Sequence, residues 1–128
     1  DILECAEHMF PNLEFCKNAI DGCRKHVGVS EAGQVYKRLL ELQRAAAGMR
    51  EKFDKAVLPK ATTESGVTLK QFNVEHTFQL PNGNTELFSW HVRYTGSYAG
   101  RIFFYPVPAE RRIYIGHIGH KLPTVKYH

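Results

Sequence analysis

The feature that most constrains the fold is a change of hydrophobic period near the middle of the chain. Before residue 57, apolar residues recur every three or four positions, which is typical of amphipathic helices. From Leu69 onward they recur at every second position, which is typical of half-buried strands. The length, 128 residues, suits one domain with one core. The sequence therefore predicts a single α+β domain over residues 1–128.

Two helices are predicted in the N-terminal half. The first extends over residues 13–26 and stops before Gly28. The second begins after Ser30, a suitable N-cap, and continues to about Ala56. Its apolar stripe comprises Val35, Leu39, Leu42, Ala46, Met49 and Phe53. We expect the two helices to form a hairpin that packs on the sheet.

The C-terminal half predicts an antiparallel β-meander of about four strands. Turn signals at residues 81–84 (PNGN), 96–100 (GSYAG) and 108–110 (PAE) separate the strands. His76 falls on the apolar face of the first strand, so we expect a hydrogen-bonded core residue there. The predicted strands are residues 71–80, 86–96, 101–107 and 111–119.

Charge is distributed unevenly along the chain, whose formal net charge is +4. From His91 to His128 the sequence holds six Arg or Lys residues and one acidic residue, Glu110. An excess of this kind suggests a phosphate-bearing or nucleic-acid partner. The alternative is a solvated basic face with no ligand.

The three cysteines have no metal-binding spacing. We expect Cys16 and Cys23, which lie seven residues apart, to be small core residues in a reducing, cytoplasmic setting. No apolar run is long enough to span a bilayer, and no signal peptide is recognisable, so no membrane partner is expected. The chain begins at Asp1 rather than Met, so we expect either a trimmed chain or a piece of a longer protein.

The face of the predicted sheet that points away from the helices mixes cations with aromatic rings. Such a mixture suits RNA, because cations hold phosphates and rings stack on unpaired bases. An open face kept in solution by arginines is the alternative. The residues assigned to this face are His91, Arg93, Arg101, Phe103, Tyr105, Arg112 and Tyr114, followed at the strand end by His117, His120 and Lys121.

The last three strands resemble the C-terminal sheet of the RelE/ParE toxin superfamily. The stretches "HVRY", "AGRIFFY" and "RRIYIGHIGHKLP" stand in the order and at about the spacing of that family's strands, and the preceding helical hairpin matches its element order. The family opens with a strand that pairs in the sheet, whereas "DILECAEHMF" is not a convincing strand. The family's lysine pair on the helix–strand connection has no clear counterpart, although Lys60 and Lys70 lie nearby.

The resemblance implies a toxin-like endoribonuclease that cleaves messenger RNA, with or without the ribosome, by acid–base chemistry without a metal or other cofactor. Its implied partners are RNA or the ribosome and a cognate antitoxin protein. Catalytic positions carried over are His117, His120, Lys121, Arg101 and Tyr105. RNA-binding positions are His91, Arg93, Arg112, Tyr114 and Tyr127.

Three alternatives remain at this stage. The same face could belong to a non-catalytic module that binds nucleic acid or protein, or to a ParE-like poison of gyrase. The histidines of "HIGH" and His128 could also hold zinc, although no carboxylate is near them in the sequence. A solvated structural role is a further alternative for these histidines. The resemblance favours an acid–base or phosphate-binding role, which histidine suits because its ordinary pKa lies near neutral pH.

Overall fold

The computed structural model describes residues 3–4, 6–94 and 99–128, and within them four helices and six strands. The helices are α1 (Ala6–Met9), α2 (Lys17–His26), α3 (Val29–Ala47) and α4 (Gly66–Gln71). The strands are β1 (Leu13–Phe15), β2 (Thr77–Gln79), β3 (Thr85–Leu87), β4 (Trp90–Arg93), β5 (Gly100–Val107) and β6 (Arg112–His120). Single 3₁₀ turns occupy Lys55–Val57, Val74–His76 and Pro108–Glu110.

The strands form two sheets, and the α+β class is confirmed. The larger sheet is mixed, in the order β1-β6-β5-β4, with β1 parallel to β6 and the other pairs antiparallel. Strands β2 and β3 form a separate antiparallel hairpin. The expected four-stranded antiparallel meander is therefore wrong in its membership, because a strand from the N-terminal half replaces the strand predicted before residue 81.

The first predicted helix begins later than expected because its first residues form β1. Leu13 and Phe15 lie beside Ile113 and Ile115 of β6. Pairing with β1 provides partners for the backbone N–H and C=O groups along this edge of β6. The backbone N–H of Cys16 then donates to the carbonyl of Ile115 at 2.9 Å, and α2 starts at the next residue. The sequence did not reveal this short strand, which pairs with β6 ahead of α2.

The second helix has different ends from those predicted. Gly28, not Ser30, precedes its first residue, and the Glu31 carboxylate accepts from the Gly28 N–H at 3.2 Å. The helix stops at Ala47, before Gly48, instead of at Ala56. The apolar stripe nevertheless reaches the core, since Met49 is buried and Phe53 packs edge-on against Phe104.

Two hydrophobic cores lie on opposite faces of the large sheet. The larger lies between α2, α3 and the face that carries Ile102, Ile113 and Ile118. The smaller lies between the other face and the β2–β3 hairpin, and consists of Cys16, Leu80, Phe88, Phe103 and Tyr114. Cys16 and Cys23 are buried and free, which confirms the expectation for these two; Cys5 lies outside the described residues.

The segment before the hairpin is helical where a strand was expected. Ser65 caps α4 by accepting from the N–H of Thr68 at 3.1 Å, and a 3₁₀ turn follows before β2 begins. His76 is fully buried and its Nε2 donates to the carbonyl of Pro123 at 2.8 Å, as expected of a core histidine. The turn at 81–84 is confirmed, with Gly83 at φ 94°. Most of the turn predicted at 96–100 lies outside the described residues.

Candidate cationic cleft

The predicted chemical residues of β4 and β5 do share one face of the sheet. Arg93 lies directly opposite Arg101, and His91 lies opposite Phe103. Residues directly opposite each other in an antiparallel pair point to the same side. The period-two pattern therefore assigned these side chains to their face correctly.

Half of that face is covered, contrary to the expectation of an open surface. The β2–β3 hairpin packs over it, which leaves Phe103 only 2% and Tyr114 only 8% exposed. Tyr105 packs against Phe88 with ring centroids 5.6 Å apart, and its hydrogen bond with Glu86 raises the pKa of its hydroxyl. Tyr105, predicted as catalytic, and Tyr114, predicted to bind RNA, thus pack with the smaller core.

The other half of the face opens into a cleft of about 720 Å³. Its walls come from α3, the segment before α4, strands β4 and β5, and the chain after β6. We call it the cationic cleft, and its lining residues are Gln34, Arg38, Pro59, Lys60, Thr62, Glu64, His91, Arg93, Tyr94, Arg101, Phe103, Lys121, Leu122, Thr124 and Lys126.

The described lining is strongly positive. Three arginines and three lysines face a single carboxylate, that of Glu64. One of the six cations is partly neutralised from outside the cleft, since Arg38 Nη1 lies 2.8 Å from Glu41 Oε1. Low-dielectric walls lined by one sign of charge raise the local concentration of oppositely charged ligands. The cleft is therefore suited to a multiply charged anion.

Arg101 lies at the floor of the cleft and is 7% exposed. Within the described part of the chain, its side chain makes one hydrogen bond, from Nη1 to the carbonyl of Gly100 at 3.0 Å. Burial, and next the charge of Arg93, lower the pKa of the guanidinium, whereas Glu64 raises it. A buried guanidinium carries five N–H donors, so this one has capacity left to bind an oxyanion that enters the cleft.

His91 and Glu64 lie beside Arg101, and they form an ion pair when the imidazole is protonated. His91 Nε2 lies 3.3 Å from Glu64 Oε1 and 3.0 Å from Thr62 Oγ1. Backbone hydrogen bonds in both directions between Thr62 and His91, at 3.0 and 2.9 Å, attach this segment to the edge of β4. The side chains of His91 and Glu64 are only 12% and 11% exposed, so the pair is recessed.

The protonation chemistry of His91 follows from its contacts. Its Nδ1 lies 3.1 Å from the carbonyl oxygen of Ser89, which can only accept, so Nδ1 carries a hydrogen. In the neutral ring Nε2 then accepts from the Thr62 hydroxyl, and in the charged ring it donates to Glu64. Burial is the main cause that lowers the pKa of His91, while Ser89 and Glu64 oppose that shift. The neutral ring can act as a base at Nε2 when a substrate hydroxyl takes the place of the Thr62 hydroxyl there.

Four of the ten predicted site residues line the cleft: His91, Arg93, Arg101 and Lys121. The other six lie elsewhere. Arg112 is ion-paired with Glu14 at 2.7 Å, and His117 Nε2 contacts the carbonyl of His120 at 2.7 Å. Tyr127 lies next to the lining residue Lys121, whose Nζ is 4.6 Å from the centroid of the Tyr127 ring. The His120 ring stacks with Tyr127, and their centroids are 6.5 Å apart. Tyr105 and Tyr114 complete this set.

Sequence reasoning missed Thr62 and Glu64, and did not assign Lys60, Arg38 or Lys126 to the site. Thr62 and Glu64 belong to the polar segment 60–66, which has no periodicity. They reach the cleft because their segment hydrogen-bonds to distant residues: Thr62 to His91, 29 residues later, and Glu64 to Ser89, 25 residues later. The one signal in the sequence was a single acidic residue, Glu64, in a loop that precedes the basic strands.

No protein-family model matches the chain, and neither a curated protein nor a solved structure matches it. Within residues 3–4, 6–94 and 99–128, no helix is long and apolar enough to cross a membrane. In the same residues, no three His, Cys, Asp or Glu side chains are grouped as metal ligands would be, and the "HIGH" histidines belong to no such group.

Proposed function

We propose that the chain is an endoribonuclease that cleaves RNA at a phosphate bound by Arg101 in the cationic cleft. The observation that carries the proposal is the recessed Glu64–His91 pair beside a buried guanidinium, within a lining of five further cations. Cleavage of RNA by its own 2′-hydroxyl needs a base, a proton donor and stabilisation of negative charge at phosphorus. The cleft brings together a group for each of these tasks.

The proposed reaction assigns a role to each group. Neutral His91 Nε2 takes the proton of the 2′-hydroxyl, and the oxygen attacks the adjacent phosphorus. The carboxylate of Glu64 stabilises the imidazolium that forms, since it lies 3.3 Å away. Arg101 donates hydrogen bonds to the phosphoryl oxygens as their charge increases. The products are a 2′,3′-cyclic phosphate and a free 5′-hydroxyl.

Lys121 is the proposed donor of the proton to the leaving 5′-oxygen. It lines the cleft on the side of β6, across Arg101 from β4. Its backbone N–H donates to the carbonyl of Ala99, which fixes it next to the start of β5. The proposed reaction retains Arg101 and Lys121 from the catalytic positions predicted from the sequence and transfers the role of base to His91.

We also propose that the chain acts as a RelE/ParE-like toxin in the cytoplasm, with messenger RNA as substrate and an antitoxin protein as its inhibitor. This part rests on the residue resemblance in residues 90–123, and a sheet-pairing strand ahead of the helical pair supports it. Induced synthesis in bacteria is expected to stop translation and leave truncated messenger RNA. Growth arrest with broken DNA and intact RNA would favour a gyrase poison.

The direct test uses the purified chain with an RNA and a DNA of the same sequence, in a chelator. We expect cleavage of the RNA alone, with cyclic phosphate ends, because the attacking hydroxyl is absent from DNA. RNA that is bound but stays intact, with and without ribosomes, would contradict the nuclease proposal and favour the non-catalytic binding module.

A further inference from the structure

The side chain of Thr62 is held beside His91 by the backbone. Thr62 and His91 lie directly opposite each other and exchange both backbone hydrogen bonds, at 3.0 and 2.9 Å. The side chains of such a pair point to the same side of the strands. The N–H of Glu64 donates to the carbonyl of Ser89 at 3.2 Å, which continues the pairing by one step. The contact between the Thr62 hydroxyl and the imidazole is therefore set by strand pairing and not by the rotamer of a free loop residue.

The two oxygen atoms that approach Nε2 of His91 favour different protonation states. Thr62 Oγ1 lies 3.0 Å from this nitrogen, and Glu64 Oε1 lies 3.3 Å from it. The carboxylate can only accept, so it stabilises the charged ring, in which Nε2 carries a hydrogen. The hydroxyl can donate, so of the two it alone serves the lone pair of the neutral ring. Thr62 therefore favours the unprotonated Nε2 that a base requires.

The Thr62 hydroxyl can leave this position while the ring stays in place. Thr62 is exposed, so its side chain can change rotamer without disturbing the core. The His91 ring, in contrast, is recessed and stacks on buried Phe103 with centroids 4.7 Å apart, and the carbonyl of Ser89 binds its Nδ1. A ligand hydroxyl that enters the cleft thus meets an oriented acceptor that is already served by a hydroxyl of the same kind.

We propose that the Thr62 hydroxyl is a positioning group that occupies His91 Nε2 in the free protein and is replaced there by the 2′-hydroxyl of the substrate. One hydroxyl donor is exchanged for another, so the recessed nitrogen keeps a partner before and after the exchange. The proposal rests on the proposed function only for the identity of the incoming hydroxyl. Thr62→Val removes the donor and leaves unchanged the charged or titratable groups that act on His91 from the neighbouring elements, which are Glu64, Arg101 and His76.

The test compares wild type with Thr62→Val, Thr62→Ser and Thr63→Val, the last at an exposed neighbour outside the lining. NMR titration gives the pKa of the His91 ring in each free protein. Dissociation constants are then measured at about pH 8, where the ring is neutral, for adenosine 3′-phosphate and 2′-deoxyadenosine 3′-phosphate. The two probes differ only in the 2′-hydroxyl, and neither carries a 5′-linked nucleotide that could leave.

We expect the pKa of His91 to rise in Thr62→Val, because the neutral ring loses its donor while the charged ring keeps Glu64. The preference for the ribonucleotide over the deoxynucleotide should increase roughly twofold to tenfold in the same variant, because the 2′-hydroxyl then meets an unoccupied acceptor. Thr62→Ser and Thr63→Val should behave as wild type.

Four outcomes would overturn the proposal: a pKa that does not rise in Thr62→Val, an unchanged ribonucleotide preference, the same changes in Thr63→Val, or no binding of either nucleotide. The expected pattern in a chain that cleaves no RNA would support the role of Thr62 and contradict only the nuclease function.

Discussion

Arg93 and Arg101 lie directly opposite each other on neighbouring strands, with their side chains on the same face of the sheet. Like charges in this relationship destabilise an antiparallel pair. Within the described lining, a single carboxylate, that of Glu64, lies near the two guanidinium groups, and it also lies 3.3 Å from His91 Nε2. An anion bound between the two guanidinium groups would remove the repulsion, so the pair indicates a binding site that lowers the stability of the unliganded protein.

The first prediction concerns this repulsion. Arg101→Met keeps the buried stem and removes the charge, so the free energy of unfolding of the unliganded protein should rise by up to about 1 kcal/mol. Pyrophosphate should raise the Tm of wild type but not of the variant, because a ligand stabilises only the state that binds it. Calorimetry with and without pyrophosphate checks both parts. An equal Tm rise in the two proteins would place the anion elsewhere.

The second prediction concerns the pKa of His91. Burial is the main cause that lowers this pKa; of the nearby charges, Glu64 raises it and Arg101 lowers it. Glu64→Gln should therefore move the pKa of His91 down, and Arg101→Met should move it up, relative to wild type. NMR titration of the His91 ring measures these shifts whether or not the chain is active. Shifts in the opposite directions would contradict the described contacts.

The third prediction concerns stability in mild acid. Burial lowers the pKa values of His91 and His117, so the folded state binds fewer protons than the unfolded state below the ordinary value of 6.5. The stability that the neutral, buried rings of His91 and His117 contribute is complete above pH 6.5, and it is lost as the pH falls towards their lowered pKa values. Denaturant midpoints at pH 7.5 and 5.5 should differ less for His117→Asn than for wild type. An unchanged difference would remove His117 from this account.

The fourth prediction concerns the contact between α2 and β6. A Cβ at Gly22 would collide with the backbone carbonyl oxygen of Ile118, and neither backbone can move freely. Gly22→Ala should lower the free energy of unfolding by about 1–3 kcal/mol despite its better helix propensity. The matched control is Gly33→Ala in α3, where nothing lies within 4 Å; it should stabilise by up to about 1 kcal/mol. Equal effects in urea unfolding would contradict the packing described.

The fold was predictable where a periodic pattern extends over many residues. The alternation along β5 and β6 placed Ile102 and Ile113 in the core and Arg101 on the other face, as found. β1 was hidden because a strand of three residues, Leu13–Phe15, is too short to interrupt a helical pattern. Its extended conformation comes from tertiary pairing with β6, which overrides the local preference.

The strand predicted before residue 81 shows how a pattern can mislead. Alternation along the predicted strand puts Val74 on the same apolar face as His76, but Val74 is 82% exposed, and the Ser65 cap that begins α4 was not recognised. The site was predictable only in part for a related reason. Sequence shows which strand face holds Arg101, but not that a distant hairpin covers Tyr114 or that Glu64 returns to His91.

The central claim is that the base lies at His91 in the cleft, and single-turnover cleavage of one RNA oligonucleotide tests it most directly. The comparison is between wild type, His91→Gln, His120→Gln at the strand end and His8→Gln, an exposed control on α1. We predict that His91→Gln lowers the rate constant roughly 100- to 10,000-fold, as expected for loss of a general base, and that His8→Gln does not change it. A wild-type rate for His91→Gln, or an equal loss for His120→Gln alone, would contradict the account and place the chemistry at the end of β6.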